Sequence, residues 1–307
     1  MTDSSSNTAS STAPGPAPDA PFSLRRTRRK RIGVALAVLF FVATVFGVVV
    51  LATLLVDVTM QALPWLDADF LTSLTSRFPE RAGVRAAISG TLWIMGLTAL
   101  IAVPIGVASA LYLEEYAGSG GFVRLIQVNI ANLAGVPSVI YGILGLAVFV
   151  RFAALGSSLL SGALTLSLLT LPIIIISTQE ALRGVPSGIR EGAYALGATR
   201  WQVTWSHVLP AAAPGILTGV ILSLSRAIGE TAPLIMVGAA ALVAVPSHVL
   251  DPFTVLPIQI FNWTARPQEE FRGLAAAAIV VLMVLLLSMN LTAILLRNYF
   301  ETSRSAA

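Results

Sequence analysis

Long apolar segments alternate with short polar ones along most of this 307-residue chain. A run of about twenty apolar residues is long enough to cross the roughly 30 Å hydrocarbon core of a membrane as a helix. The pattern therefore predicts an all-α integral membrane protein with six transmembrane helices. The predicted spans are Ile32–Val56, Ala87–Leu113, Leu125–Val150, Ser158–Ser177, Ala211–Val245 and Leu274–Leu296.

The fifth predicted span, Ala211–Val245, is too long for one straight crossing, which needs roughly 17–25 residues. Pro233 lies inside this span and Pro246 follows it directly. Prolines at these positions predict a kink, a tilt or a partly re-entrant end.

Between the fourth and fifth spans, residues 186–210 form a polar segment that is too charged to lie in lipid. Ile189, Ala193 and Leu196 recur at i, i+4 and i+7, a spacing that predicts a short helix with one apolar face. Gly197 is suited to the left-handed turn that ends such a helix. The segment is therefore expected to begin with a short helix at one membrane face.

A second short helix is predicted directly after this turn. Thr199 and Gln202 have the spacing of a capping box at a helix start, and Pro210 is expected to stop the helix before the next span. The predicted apolar face of this helix consists of Trp201, Trp205 and Val208. A helix-turn-helix displayed in water by a membrane protein offers a surface to a partner.

The distribution of basic residues predicts the orientation in the membrane, because cytoplasmic loops carry an excess of Lys and Arg. With six spans both termini share one side, and that side holds twelve basic residues against six opposite. The twelve are Arg25, Arg26, Arg28, Arg29, Lys30, Arg31, Arg124, Arg183, Arg190, Arg200, Arg297 and Arg304. Both termini, and with them residues 186–210, are expected in the cytoplasm.

This topology divides the chain into five segments. Residues 1–31 are expected to form a disordered basic tail, 32–56 the first transmembrane helix and 57–86 an external loop. Residues 87–297 form the predicted transmembrane core, with the polar loop at 180–210, and 298–307 a cytoplasmic tail.

The composition supports a membrane protein independently. The chain is 56% hydrophobic and 11% charged, with a mean hydropathy of +0.83, whereas soluble proteins average about 25% charged residues. The net charge of +4 comes largely from the basic run before the first span, which is suited to anionic lipid at the inner leaflet. Nucleic-acid binding is not expected, because no aromatic residues interleave with these charges.

Several kinds of chemistry are excluded by the residues themselves. The chain has no cysteine, and its two histidines, His207 and His248, are far apart, so no disulfide and no metal site is expected. The one lysine, Lys30, follows Arg29 rather than the glycine of a phosphate-binding loop. The chain is therefore expected to hold no cofactor, and any ATP that drives it must be bound by a partner subunit.

Arg226 and Glu230 are predicted to lie near the middle of the fifth span, four residues apart on one helix face. A charge at this depth costs roughly 2.5–3.5 kcal/mol, so both side chains should face protein or water. One interpretation is a buried ion pair that fixes helix packing. The other is an arginine that meets an oxyanion in the transport path, with Glu230 holding or gating it.

Residues 186–210 also resemble the coupling loop of bacterial ABC importer permeases, whose pattern is E-A-A, three residues, G, nine residues, I-x-L-P. Gly192 and His207 depart from that pattern, and the alternative interpretation is an ordinary interfacial helix pair. The matching positions are Glu191, Ala193, Gly197, Leu209 and Pro210. The resemblance implies that this loop engages an ATPase and that the core is of the type I importer class.

Three further stretches resemble phosphate importer permeases of the PstA type: RAIGETAPL from Arg226, AGVPSVIYG from Ala134 and LEEYA from Leu113. The resemblance implies that Arg226 and Glu230 are the family's intramembrane pair and that phosphate is the cargo. In the second stretch, lining of the path and simple helix packing stay open. The residues concerned are Gly135, Pro137, Ser138 and Tyr141. Glu114 and Glu115 of the third stretch are expected to be solvated interfacial charges.

The resemblance implies a non-catalytic, multi-pass subunit of the bacterial inner membrane that forms half of a translocation path. Its implied partners are a sister permease, an ATPase dimer and an extracytoplasmic phosphate-binding protein. Importers of other oxyanions, such as sulfate or molybdate, differ only in cargo and stay open. A secondary transporter is less favoured, because the chain shows no repeated halves.

Overall fold

The computed structural model describes residues 23–118, 120–240 and 244–305, and within these ranges the chain is helical without any strand. The all-α prediction is confirmed. The helices are α1 (Ser23–Ala62), α2 (Ala68–Thr72), α3 (Arg85–Leu111), α4 (Gly121–Ala134), α5 (Ser138–Gly145), α6 (Leu159–Arg183), α7 (Ser187–Ala195), α8 (Arg200–Val203), α9 (Leu209–Ile228), α10 (Ala232–Val237), α11 (Leu256–Thr264) and α12 (Glu270–Ser305).

Five helices among the described residues are long and apolar enough to cross a membrane, and six are counted if the bent pair α4–α5 is one span. The six predicted spans thus correspond to observed helices, and the third and the fifth of them are interrupted. The five unbroken candidates are Ile32–Trp65, Arg85–Tyr116, Leu159–Arg183, Arg200–Ile228 and Glu270–Leu295.

The chain divides into two compact units, Met1–Val56 and Asp57–Ala307. In the first unit, α1 begins at Ser23, inside the predicted tail, and the rest of that tail lies outside the described residues. The apolar side chains of α1 from Ile32 to Val56 are largely exposed, as expected of a helix that meets lipid or another subunit.

The core of the second unit is built around α6, the most buried of the candidate spans, which packs against α3 and α9. Small residues allow these helices to approach closely. Gly106 of α3 faces Ile174, while Gly215 and Gly219 of α9 lie against Ala181 and Ser177 of α6. Gly215 and Gly219 therefore form a close helix contact in this core.

The predicted third span is wrong as a continuous helix, because α4 and α5 meet at an angle of 102°. Pro137 explains the break: it lacks an N–H and disfavours helical geometry in the residue before it. The hydroxyl of Tyr141 donates to the carbonyl oxygen of Leu133 across the bend at 2.8 Å. The angle is thus fixed by a hydrogen bond between the two arms.

The predicted fifth span, Ala211–Val245, is not one straight helix, as its length indicated. Helix α9 ends at Ile228, α10 begins four residues later, and Gly238 ends α10 in a left-handed conformation (φ 98°). Pro233 lies in the first turn of α10, where its missing N–H costs nothing, and so it starts a helix rather than kinking one. The short α10 packs against α5 and α6 instead of completing a straight crossing.

Candidate coupling and transport sites

The polar segment folds as two short helices around a glycine turn, as the sequence predicts. After α7, the N–H of Gly197 donates to Tyr194 O at 2.9 Å and that of Ala198 to Ala193 O at 3.1 Å. These two bonds form a Schellman turn, which requires the left-handed φ of 83° at Gly197. The turn therefore depends on the conformational freedom of glycine at position 197.

The start of the second helix is also confirmed. Gln202 N–H donates to Thr199 Oγ1 at 3.4 Å, and the Thr199 N–H donates to Gln202 Oε1 at 2.8 Å, which completes the capping box. The predicted stop at Pro210 is wrong. A wide π turn, Thr204–Val208, carries the helix directly into α9, and Pro210 occupies the first turn of α9, where proline is tolerated.

Only part of the predicted apolar face of each helix packs against the core. Ala193, Val203 and Val208 are buried against the membrane core, whereas Leu196 is 91% exposed. The exposed apolar side chains form what we call the coupling face, with Glu191 and Gly192 exposed beside them. The coupling face consists of Ile189, Tyr194, Leu196, Trp201 and Trp205. Periodicity identified the apolar residues but could not tell which of them face inward.

Two ion pairs connect the end of α3 to its neighbours α6 and α7, and neither was predicted from the sequence. Glu114 and Glu115 lie in a π turn, Tyr112–Tyr116, that ends α3. Glu114 pairs with Arg183 at the end of α6, and Glu115 pairs with Arg190 of α7 at 2.8 Å. The expectation of solvated carboxylates was wrong.

Arg226 and Glu230 lie where α9 ends, and their side chains form an ion pair with Nε and Oε1 3.6 Å apart. The prediction of one continuous helix face is wrong, since Glu230 lies beyond the last helical residue, Ile228. The side chain of Arg226 is 66% exposed and that of Glu230 18% exposed. The pair therefore presents its arginine outward from the described core.

The depth of Arg226 follows from the packing of α9 on α6. Gly215 lies against Ala181 and Gly219 against Ser177, so the two helices run antiparallel in register. Seven residues beyond Gly219, Arg226 comes level with Thr170, close to the middle of the 25-residue helix α6. Arg226 thus lies level with the middle of α6, while its depth in a membrane stays a prediction.

Polar contacts between α9 and α12 accompany this pair and were not found from the sequence. Ser225 Oγ contacts Asn290 Oδ1, and an Nη of Arg297 donates to Thr218 Oγ1 at 2.9 Å. The signal that could have found them is the amide of Asn290 inside an otherwise apolar predicted span.

The structure places the remaining candidate residues together at the α4–α5 bend. Gly135 caps α4 with an ordinary backbone conformation, and Ser138 begins α5 after Pro137. Tyr141 is buried, and its hydroxyl braces the bend. These contacts account for Pro137 and Tyr141 by packing alone, while lining of a transport path by any of the four stays a prediction.

Residues 102–301 match the family described as binding-protein-dependent transport system inner membrane component. The chain belongs to this family. As a permease, it is a non-catalytic, multi-pass membrane subunit of an ABC importer, and its family works with a separate ATPase and a binding protein.

The permease has well-covered relatives in several bacteria. It is 31% identical to the phosphate transport system permease protein PstA of Xylella fastidiosa, over 88% of this chain and 95% of the relative. It is 33% identical to PstA of Haemophilus influenzae, over 87% and 94%. It is also 33% identical to PstA 1 of Mycobacterium tuberculosis, over 88% and 89%.

Solved structures share the fold of the permease. A bacterial alginate ABC transporter in complex with its alginate-bound periplasmic protein gives a TM-score of 0.64 at 18% identity, covering 87% of this chain and 94% of that one. The inward-facing MetNI methionine ABC transporter gives 0.56 at 19% identity, covering 71% and 94%. These likenesses support the ABC permease architecture.

Proposed function

We propose that this permease forms half of the translocation path of an ATP-driven phosphate importer. A sister permease completes the path, and an extracytoplasmic phosphate-binding protein delivers the anion. An ATPase dimer binds the coupling face at the cytoplasmic side of the bacterial inner membrane. Both termini lie in the cytoplasm, as the asymmetry of basic residues favours.

The observation that carries this proposal is the exposed arginine level with the middle of the predicted membrane helix α6. Arg226 is 66% exposed in this chain, yet a charge facing lipid costs roughly 2.5–3.5 kcal/mol even on lenient scales. The surface around Arg226 must therefore be covered by protein or water in the working complex. A sister permease enclosing a hydrated path supplies both.

The geometry of the pair suits transient anion binding. The 3.6 Å contact between Arg226 and Glu230 is longer than a charge-assisted hydrogen bond of about 2.7–2.9 Å. A planar guanidinium held this loosely can turn its fork toward phosphate oxygens, which it matches in bidentate fashion. Glu230 then holds the arginine between transport events and repels an anion that lingers.

The coupling face supports the proposed link to ATP hydrolysis. Its exposed indole and aliphatic side chains are of the kind that a protein partner buries, and Glu191 adds a charged contact beside them. Closure of an ATPase dimer would draw two such loops together. Movement of α8 passes directly into α9, because the helix is continuous through Pro210, and α9 carries Arg226 at its other end.

The cargo distinguishes this proposal from its nearest alternative, an importer of sulfate or molybdate. An arginine fork accepts all of these oxyanions, whereas the well-covered relatives are phosphate permeases by name. The test is uptake of radiolabelled phosphate in cells that have this transporter as their one phosphate importer. We expect a hundredfold excess of unlabelled phosphate to abolish uptake, and equal sulfate or molybdate to leave it unchanged. Equal competition by sulfate or molybdate would refute phosphate specificity.

A further inference from the structure

Helix α7 and the ends of α3 and α6 meet at one guanidinium. Arg190 of α7 donates through Nη2 to Glu115 Oε1 at 2.8 Å and through Nε to the same oxygen at 3.3 Å. It also donates to two carbonyl oxygens at the end of α6, Leu182 O at 2.8 Å and Val185 O at 2.9 Å. Arg190 therefore joins α7 to the ends of both α3 and α6.

The chemistry of this contact requires arginine. The last carbonyls of a helix carry partial negative charge and have no partner within the helix, so a cation beside them is stabilising. Only a planar guanidinium offers enough fixed donors to reach a carboxylate and two carbonyls together. A lysine would keep the charge but could not span all three acceptors in this geometry.

The Arg190–Glu115 pair is more buried than the neighbouring Arg183–Glu114 pair. The side chains of Arg190 and Glu115 are 23% and 8% exposed, whereas those of Arg183 and Glu114 are 58% and 15% exposed. Ion pairs in contact with water contribute little to stability, and those shielded from it are much more sensitive to loss of one partner. The two adjacent carboxylates therefore serve as a test residue and a matched control.

Apolar packing alone holds α7 weakly. Ala193 is its one buried residue, and a nine-residue helix is too short to be stable by itself. Glu191, the next residue after Arg190, is exposed beside the coupling face. One side of α7 is thus available to a partner, while Arg190 binds the other side to the core.

We propose that Arg190 and Glu115 are positioning residues that transmit movement of α7 to α3 and α6 during transport. This inference rests on the proposed function, since it assigns the path from the ATPase to the transmembrane helices. A force applied to the coupling face reaches α9 through the continuous helix and reaches α3 and α6 through Arg190. Without the pair, α7 would move independently of the two helices.

The experiment uses the complete transporter in proteoliposomes, and its first readout is the amount of radiolabelled phosphate moved per ATP hydrolysed. We expect Arg190→Met and Glu115→Gln to lower this ratio about tenfold, within the usual range of coupling between sites. Arg190→Lys should fall between these variants and the wild type. Glu114→Gln is the control, because its partner Arg183 is 58% exposed, and it should change the ratio by less than about twofold.

A charge exchange tests the carbonyl contacts. In the double variant Glu115→Arg with Arg190→Glu, the new carboxylate at position 190 would face the oxygens of Leu182 and Val185. We therefore expect no recovery of the ratio, whereas the exchange Glu114→Arg with Arg183→Glu should retain most of it. Full recovery in the first exchange would overturn the role of the helix-end carbonyls.

A second readout does not depend on the cargo. The chain has no cysteine, so spin labels can be placed at Ser187 of α7 and Leu100 of α3, both exposed. We expect a narrow distance distribution in the wild type and a broad one in Arg190→Met and Glu115→Gln. Unchanged distances and an unchanged ratio in these variants would overturn the proposal. A wild-type complex that moves no phosphate would refute the proposed function, while the label distances would still decide the role of the pair.

Discussion

Replacing both members of the intramembrane pair, with Arg226→Met and Glu230→Leu, is expected to preserve the assembled permease but abolish phosphate uptake. Either single replacement leaves an uncompensated charge at mid-membrane depth, which costs roughly 2.5–3.5 kcal/mol and should lower membrane abundance. The double replacement removes that penalty and should restore abundance. Uptake should stay at least about tenfold below wild type, because no cation remains to meet the anion.

Two further variants sharpen this prediction. Arg226→Lys keeps the charge without the bidentate fork and should give reduced uptake at normal abundance. Leu222→Met changes an exposed side chain one turn earlier in α9 and should leave uptake normal. Membrane abundance and radiolabelled phosphate uptake are measured for each variant. Normal uptake in the double variant would show that the pair is scaffolding.

Gly197→Pro is expected to leave the permease inserted in the membrane but uncoupled from ATP hydrolysis. Proline cannot adopt the φ of 83° found at Gly197, and it removes the N–H that donates to Tyr194 O. Loss of this turn should cost about 3 kcal/mol locally and misalign the coupling face. Glu191→Arg should uncouple the subunit by a different route, reversing a charge at the proposed contact.

The matched control for the glycine turn is Gly188→Ala in α7, where an added Cβ meets no atom within 4 Å and no left-handed conformation is required. It should leave coupling intact. The readouts are phosphate uptake and co-purification of the ATPase with the permease. Full uptake with both Gly197→Pro and Glu191→Arg in place would disprove the coupling role of this segment.

Elements whose geometry depends on residues close together in the sequence could be predicted from it. The apolar runs gave the membrane helices, and Thr199, Gln202 and Gly197 gave the cap and the turn, because each acts on backbone groups within a few residues. Pro137 itself indicated the bend, but hydropathy averaged over a long window does not show a break of a few residues. Pro210 misled for the opposite reason, since the preceding π turn makes room for it.

Long-range pairing could not be predicted from the sequence. Glu114 and Arg183 are 69 residues apart, and Glu115 and Arg190 are 75 apart, so no periodicity relates them. The sequence also did not show which side of α7 faces the core, because Leu196 and Ala193 share one apolar stripe but only Ala193 packs against the core. Arg226 and Glu230 were identified from their charge alone, but the end of α9 between them was not predicted.

The most direct test of the central claim is ATP-dependent accumulation of phosphate in proteoliposomes that contain this permease, its sister permease and the ATPase, with binding protein outside. We expect uptake that requires the binding protein and ATP hydrolysis, and that persists when ion gradients are collapsed. Omission of this permease should abolish it. Accumulation that needs an ion gradient but neither ATP nor the binding protein would refute ATP-driven import and indicate a secondary transporter.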